Sequence, residues 1–269
     1  MNIANKVAFI TGGGSGIGRG MARAFLDAGL KVAIADIRTD RLERVKESLE
    51  ADERDFFAVE ADVSQMDSLE RAADTAESHF GKIHIVCNNA GIGVGGPVHS
   101  TPMDRWRRVV DINLWGVVNG CQVFTPRIQS HGEGGHIVNT ASIMGLFTSQ
   151  GSGPYCATKF AVVAISECLR KELKECNIGV SVLCPFIVDT PIFYPDLDDL
   201  DIEAIDKRKK QLGFLQHAVT PVFAGETVLR AIENNELYIF TDGNQSRQMI
   251  QSRVDRLFEG MDRQWPREN

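Results

Sequence analysis

Among the six cysteines of this 269-residue chain (Cys87, Cys121, Cys156, Cys168, Cys176 and Cys184) there is no C-x-x-C pair. That absence removes the spacing of a zinc ribbon or a dithiol redox motif, and the scattered thiols read as reduced, as in a cytoplasmic protein. The six histidines show no metal-pairing pattern, so no metal is expected. Basic charge is also in short supply. The 29 Lys and Arg stand against 36 Asp and Glu, a net charge of −7, which argues against a general nucleic-acid surface. No apolar run reaches membrane-spanning length, and the opening residues enter a strand without a charged-then-apolar leader. A cytoplasmic protein with neither a nucleic-acid nor a membrane partner is expected. Pro/Ser-rich linkers, repeats and low-complexity stretches are missing as far as about Phe240, which favours one domain over two.

Two nucleotide signatures fail as well. The fingerprint G-x-G-x-x-G cannot be threaded through Gly12-Gly13-Gly14-Ser15-Gly16-Ile17-Gly18 in any register. A P-loop fails more narrowly: Gly13 and Gly18 have its gap, but Arg19-Gly20 stands where Lys-Ser/Thr is needed. Nucleotide hydrolysis is therefore disfavoured. What fits is Thr11-Gly12-x-x-x-Gly16-x-Gly18.

That turn sits in a telling place. The apolar run Lys6 to Thr11 precedes it, and a helical pattern (Ile17, Met21, Ala24, Phe25, Ala28) follows and stops at Gly29. Strand, glycine turn and helix start make a phosphate-binding βα unit, in which glycines admit a diphosphate to the positive helix end. A second strand, Lys31-Val-Ala-Ile-Ala, ends at Asp36, eighteen residues after Gly18. A carboxylate there accepts ribose hydroxyls and repels a 2′-phosphate, favouring NAD over NADP. Arg38, two positions on, could instead receive a 2′-phosphate, so NADP stays open.

Far downstream, Tyr155 and Lys159 lie four residues apart, which stacks phenol and ammonium on one helix face. A cation held there favours the phenolate and pulls the tyrosine below its ordinary value of about 10. Bringing it near 7 takes about 4 kcal/mol of differential stabilisation and creates a general acid/base.

These stretches together resemble the short-chain dehydrogenase/reductase family in its compact single-domain branch, from about Asn5 to Thr190. The glycine turn matches the family's cofactor turn, so Gly12, Ser15, Gly16, Ile17 and Gly18 are expected to contact the dinucleotide. Asp62 and Val63, after the strand Phe56 to Glu60, match its adenine-contacting pair; Ser64 looks like the cap of the next helix. Asn88-Asn89-Ala90-Gly91 matches its NNAG stretch, placing Asn89, Ala90 and Gly91 along the cofactor. Asn113, Ser142, Tyr155 and Lys159 match its catalytic four, with twelve residues between Ser142 and Tyr155. Pro185, Val188 and Thr190 match its contacts to carboxamide and phosphates.

The resemblance implies a Rossmann-like doubly wound α/β fold with helices on both faces of a parallel sheet. It implies NAD-dependent oxidoreduction of a secondary alcohol or ketone, with Tyr155 moving the proton. Ser142 would orient the substrate oxygen, Lys159 would lower the tyrosine pKa and hold the nicotinamide ribose, and Asn113 would hold a water in a proton path. A homodimer or homotetramer through the helices around 113–124 and 155–173 is implied too.

Departures individualise the chain. Phe186 replaces the family's glycine after Pro185. Residues 191–219 should cover the substrate, with Ile192, Phe193, Tyr194, Phe214 and Leu215 suiting an apolar or aromatic molecule. The acidic cluster Asp196, Asp198, Asp199 and Asp201 lacks a calcium-loop glycine turn, and with Lys207-Arg208-Lys209-Lys210 it reads as an exposed charged segment. Residues 243–269 look like an added helix. The subgroup most resembled acts on aryl secondary alcohols and includes Cα-dehydrogenases. A non-catalytic dinucleotide-sensing or scaffold protein and an NADP-dependent ketone reductase are the alternatives. Epimerases and dehydratases on this scaffold carry a larger substrate domain than 269 residues allow.

Overall fold

A computed structural model describes residues 3–49, 55–195, 197 and 201–265. The first strand, β1 (Val7–Thr11), is buried along its whole length and alternates sides. Val7 and Phe9 face one apolar cluster while Ala8 and Ile10 face the other. Burial of both faces is what a parallel sheet covered by helices requires. The glycine turn leads into α1 (Gly16–Asp27), which ends at Ala28, with Gly29 at φ +80° just beyond. There follow β2 (Lys31–Asp36), α2 (Thr39–Leu49), β3 (Phe56–Glu60), α3 (Met66–Phe80) and β4 (Ile85–Asn88).

The second half continues the alternation. A long helix is built from α4 (Met103–Val110), a π-turn over Asp111–Trp115 and α5 (Gly116–His131). Next come β5 (Gly135–Thr140), α6 (Gly153–Glu172), β6 (Ile178–Cys184), α7 (Ile202–Leu212), α8 (Pro221–Asn234) and β7 (Tyr238–Phe240). Every recorded strand pair is parallel, in the order β3-β2-β1-β4-β5-β6-β7. The expected Rossmann-like doubly wound sheet is present. The order reverses between β1 and β4, the switch point outside which such sheets bind ligands. On one face α3, α5 and α6 pack through residues such as Phe124, whose ring lies 4.7 Å from that of Phe9. On the other, α1, α2 and α8 pack through Met21, Phe25 and Val228.

Some local expectations need correction. Ser64 does not cap α3, which starts at Met66 after Gln65; the Asp62 carboxylate instead accepts both the amide and the hydroxyl of Ser64. The charged segment is not wholly exposed. Asp201 caps α7 by accepting the Ala204 amide at 2.9 Å, and Lys209 turns inward onto Asp189. Asp196, Asp198 and Asp199 lie outside the described residues. The expected added helix is α9 (Gln245–Gln264), capped by the Asp242 carboxylate, which accepts the amides of Asn244, Gln245 and Ser246. Residues 266–269 of that segment lie outside the described residues. No described helix is long and apolar enough to cross a membrane.

Candidate active site

The carboxyl ends of β1, β2, β4, β5 and β6 converge on one cleft edge. Thr11, ending β1, ties two of them together. Its Oγ1 accepts the amides of Asn89 and Ala90 at 2.9 and 3.0 Å, and the Asn89 amide side chain donates to the Thr11 carbonyl. Asn89 in turn accepts from Thr140 Oγ1 at 3.3 Å. The glycine turn is therefore braced against β4 and β5. Gly18 sits so close to Gly12 that a Cβ on it would fall 2.2 Å from the Gly12 carbonyl oxygen. Only glycine permits this closeness, and Gly12 itself holds φ +65°.

Asp36, at the end of β2, is buried at 9% exposure. Its carboxylate accepts the Gly14 amide and the Arg38 amide, each at 3.0 Å. The guanidinium of Arg38 grips Asp40 through two bonds of 2.7 and 2.8 Å. Arg41, unremarked in the sequence, reaches Ser15 of the turn at 3.4 Å. Asp62 and Val63 lie apart, after β3. Val63 accepts from Asn119 of α5 at 2.9 Å.

Asn113 occupies the π-turn and is fully buried. Both ends of its amide clip the backbone of Ile92: Oδ1 accepts the Ile92 amide at 2.8 Å and Nδ2 donates to the Ile92 carbonyl at 2.9 Å. The extra residue of the π-turn aims this side chain across to the β4 end. A Cβ on Gly91 would fall 3.3 Å from Asn113 Oδ1 and 3.5 Å from Lys159 Nζ, so Asn113, Gly91 and Lys159 are neighbours.

Ser142 follows β5. Its hydroxyl accepts the Met144 amide at 3.1 Å, and it lies close enough to Tyr155 to act on the phenol's ionisation. Tyr155 and Lys159 stand one turn apart on α6, as their spacing predicts, with Nζ 5.5 Å from the phenol ring centre. Lys159 is 3% exposed and donates to the Thr140 carbonyl at 2.9 Å. The ammonium keeps N–H donors without a partner among the described residues, a donor set that fits ribose hydroxyls.

One electrostatic expectation is overturned. Burial pushes the Tyr155 phenol up to about 12, with the nearby Ser142 hydroxyl opposing it. Lys159 does not offset this at its 5.5 Å separation from the ring, and burial brings its own ammonium down to about 8. Desolvation disfavours both charged forms and outweighs their mutual attraction at this separation.

After β6, the Ile143 amide donates to the Pro185 carbonyl at 2.9 Å, and the Phe186 amide donates to Thr241 Oγ1 at 3.0 Å. Thr190 presses on the glycine turn; a Cβ on Gly16 would meet its Cγ2 at 3.0 Å. The apolar residues expected in the substrate wall divide into two groups. Tyr194 and Leu215, with Ile205, form a buried cluster, and Phe193 packs against it. Ile192 and Phe214 remain exposed. The segment spends its first three on holding itself together.

Sequence reasoning missed Thr140, which positions both Lys159 and Asn89, and Ile92, which holds Asn113. A threonine closing β5 two residues before Ser142 was a usable signal for the first; Ile92 acts through its backbone and left none. It also missed Lys209, hidden in a run of four basic residues.

A glycine turn at the switch point of a parallel doubly wound sheet, with a Ser-Tyr-Lys constellation across the cleft, defines a dinucleotide-type oxidoreductase scaffold. The family model for short chain dehydrogenase matches residues 6–200. The chain belongs to that family. It is 39% identical over 194 residues to a 1-deoxy-11-beta-hydroxypentalenate dehydrogenase of Streptomyces exfoliatus, covering 71% of this chain and 70% of that one. It is 33% identical over 243 residues to a C alpha-dehydrogenase of Sphingobium sp. strain SYK-6, covering 87% and 80%. A short-chain dehydrogenase/reductase from Burkholderia phymatum, solved in complex with NAD, superposes with TM-score 0.84 at 31% identity, covering 100% of this chain and 99% of that one. A longer relative is the probable oxidoreductase EphD of Mycobacterium tuberculosis strain H37Rv, 34% identical over 232 residues, of whose length the match covers 39%.

Proposed function

We propose that this chain transfers hydride between bulky, apolar or aromatic secondary alcohols and NAD, with Tyr155 as general acid/base. The observation that carries the reading is the pairing of Tyr155 with the buried Lys159 ammonium one helical turn away, Nζ 5.5 Å from the phenol ring and held by the Thr140 carbonyl. A bound nicotinamide would supply the two-electron acceptor. Tyr155 takes the hydroxyl proton at the substrate oxygen during oxidation and returns it during reduction. Ser142 donates a hydrogen bond to that oxygen and stabilises the charge it gains. Asn113 anchors the Ile92 backbone and completes a proton path from Lys159 to solvent.

The remaining residues would hold the dinucleotide. Gly12, Ser15, Gly16, Ile17 and Gly18 receive the diphosphate, Asp36 the adenosine ribose, and Asp62 with Val63 the adenine. Asn89, Ala90 and Gly91 line its middle, Tyr155 and Lys159 the nicotinamide ribose, and Pro185, Val188 and Thr190 the carboxamide and phosphates. The Asp36 charge supports NAD over NADP, as does the engagement of Arg38 with Asp40. Exposed Ile192 and Phe214, the half-buried Phe186 and the C alpha-dehydrogenase relative support a bulky apolar substrate. The enzyme works in the cytoplasm as a homodimer or homotetramer.

The test is nicotinamide reduction by purified protein across aryl and aliphatic secondary alcohols, with NAD and NADP in parallel. Tyr155→Phe should lose about 10³-fold in kcat while still binding NAD. Oxidation kcat/KM should climb with pH, because the base form of Tyr155 is the minority species below about 12. Full turnover in Tyr155→Phe would exclude the assigned acid/base. Binding of NAD without turnover of any alcohol would favour a sensing role.

A further inference from the structure

The backbone between β6 and α7 is held from two sides. Val188 bridges to Val219, with the Asp189 amide donating to the Val219 carbonyl at 3.0 Å and the Val219 amide donating to the Ile187 carbonyl at 3.1 Å. Thr190, 7% exposed, rests on Gly16 of the glycine turn. Asp189 lies between these two contacts. Its carboxylate accepts the Tyr194 hydroxyl at 3.1 Å on Oδ1 and the Lys209 ammonium at 2.6 Å on Oδ2. Lys209 rides on α7, whose Ile205 packs with Tyr194 and Leu215 beside the half-buried Ile187. The apolar cluster and the ion pair thus fasten α7 to the same few residues.

We infer that Lys209 is a positioning residue for dinucleotide binding, holding the Val188–Thr190 backbone against the glycine turn through Asp189. The inference rests on the reading of Val188 and Thr190 as cofactor contacts. It has an electrostatic side as well as a geometric one. Asp189 adjoins the residue that touches the phosphate-binding turn, so its negative charge would oppose a diphosphate unless a cation is held against it. Lys209 supplies that cation at the short distance of a charge-assisted hydrogen bond. The side chains of both partners are about a third exposed, at 30% and 32%, so solvent moderates the effect.

Isothermal titration of NAD into the full-length protein tests this. Lys209→Met should weaken NAD binding roughly three- to fivefold, leave kcat at saturating NAD within about twofold, and speed hydrogen exchange of the Asp189 and Thr190 amides without nucleotide. Lys209→Arg should behave as wild type. Asp189→Asn combined with Lys209→Met should recover the part of the affinity lost to the unpaired carboxylate, while amide exchange at Asp189 stays fast because the tie is gone; a merely structural role for Lys209 predicts no such recovery. Unchanged affinity in Lys209→Met, or a double variant no tighter than the single, would overturn the inference alone. Wild-type protein that binds no dinucleotide would overturn the functional reading, and the inference with it.

Discussion

The two edges of one sheet use polar residues in opposite ways. At the amino edge, charged groups close on each other. Glu133 accepts Lys6, Lys82 and His84 at 3.1, 2.6 and 3.0 Å, and His131 accepts the Glu133 amide while meeting the Ile83 carbonyl. At the carboxyl edge, polar side chains are gripped from behind by backbone groups and keep capacity in front. Asn113 spends its amide on Ile92, Thr140 offers its carbonyl to Lys159, and Lys159 retains donors facing the cleft. A cavity of about 420 Å³ lies toward the amino edge among Asn5, Arg23, Asp27 and Lys31, yet no catalytic candidate lines it. Hollow space alone does not mark a site. Held groups with spare hydrogen-bonding capacity do.

Substitutions that add or remove a single group separate these edges. The largest effect belongs to Gly18→Ala at the carboxyl edge. The new methyl would stand 2.2 Å from a backbone oxygen that cannot step aside, so the turn must open. A stability loss of about 3 kcal/mol or more in urea unfolding is expected, together with loss of NAD binding. A variant that still bound NAD at wild-type affinity would show that the turn's tightness serves packing only.

Next comes His136, the second residue of β5, 1% exposed. Ser181 donates its hydroxyl to the Glu236 carbonyl, so it accepts the His136 Nε2–H at 2.7 Å and fixes a neutral tautomer. Burial, seconded by Arg170, pushes His136 down to about 3. The unfolded chain, titrating near 6.5, then binds the proton first. This group's contribution is full above about 6.5 and falls by about 1.4 kcal/mol per pH unit below it. Urea unfolding of wild type and His136→Gln should therefore converge as pH drops from 7 to 4.5. Parallel curves would mean that His136 is not held neutral.

Much of this was legible in advance. The βα units announced themselves because buried parallel strands are short apolar runs and the glycine turn punctuates them. Tyr155 and Lys159 could be singled out because a phenol and an ammonium at that spacing share one helix face, whereas Asn113 and Ser142 were named only through the resemblance to the family's catalytic four. The sign of the Tyr155 shift could not be read, since spacing places Lys159 nearby but says nothing of how dry the site is. Nor could the division of the apolar residues in 191–219: Tyr194 and Leu215 look like pocket wall in sequence, and only the packing of Ile205 turns them inward. Lys209 escaped for a related reason. Four consecutive basic residues on one helix are equivalent until a carboxylate 20 positions away selects one of them.

The smallest effect should come from Glu133→Gln. Glu133 is 41% exposed by side chain, and Lys82, His84 and Lys6 hold its carboxyl well below the usual range by hydrogen bonding. Exposed ion pairs contribute little because solvent and salt screen them. The substitution keeps shape and one acceptor, so the amino edge should loosen only slightly, and more at low salt than at high. Its distance from the cleft, at the opposite strand ends, predicts kcat/KM within about twofold of wild type. A larger fall in kcat/KM with unchanged unfolding would show that the two edges communicate along β4 and β5, through the chain from His84 to Asn89 and Thr140.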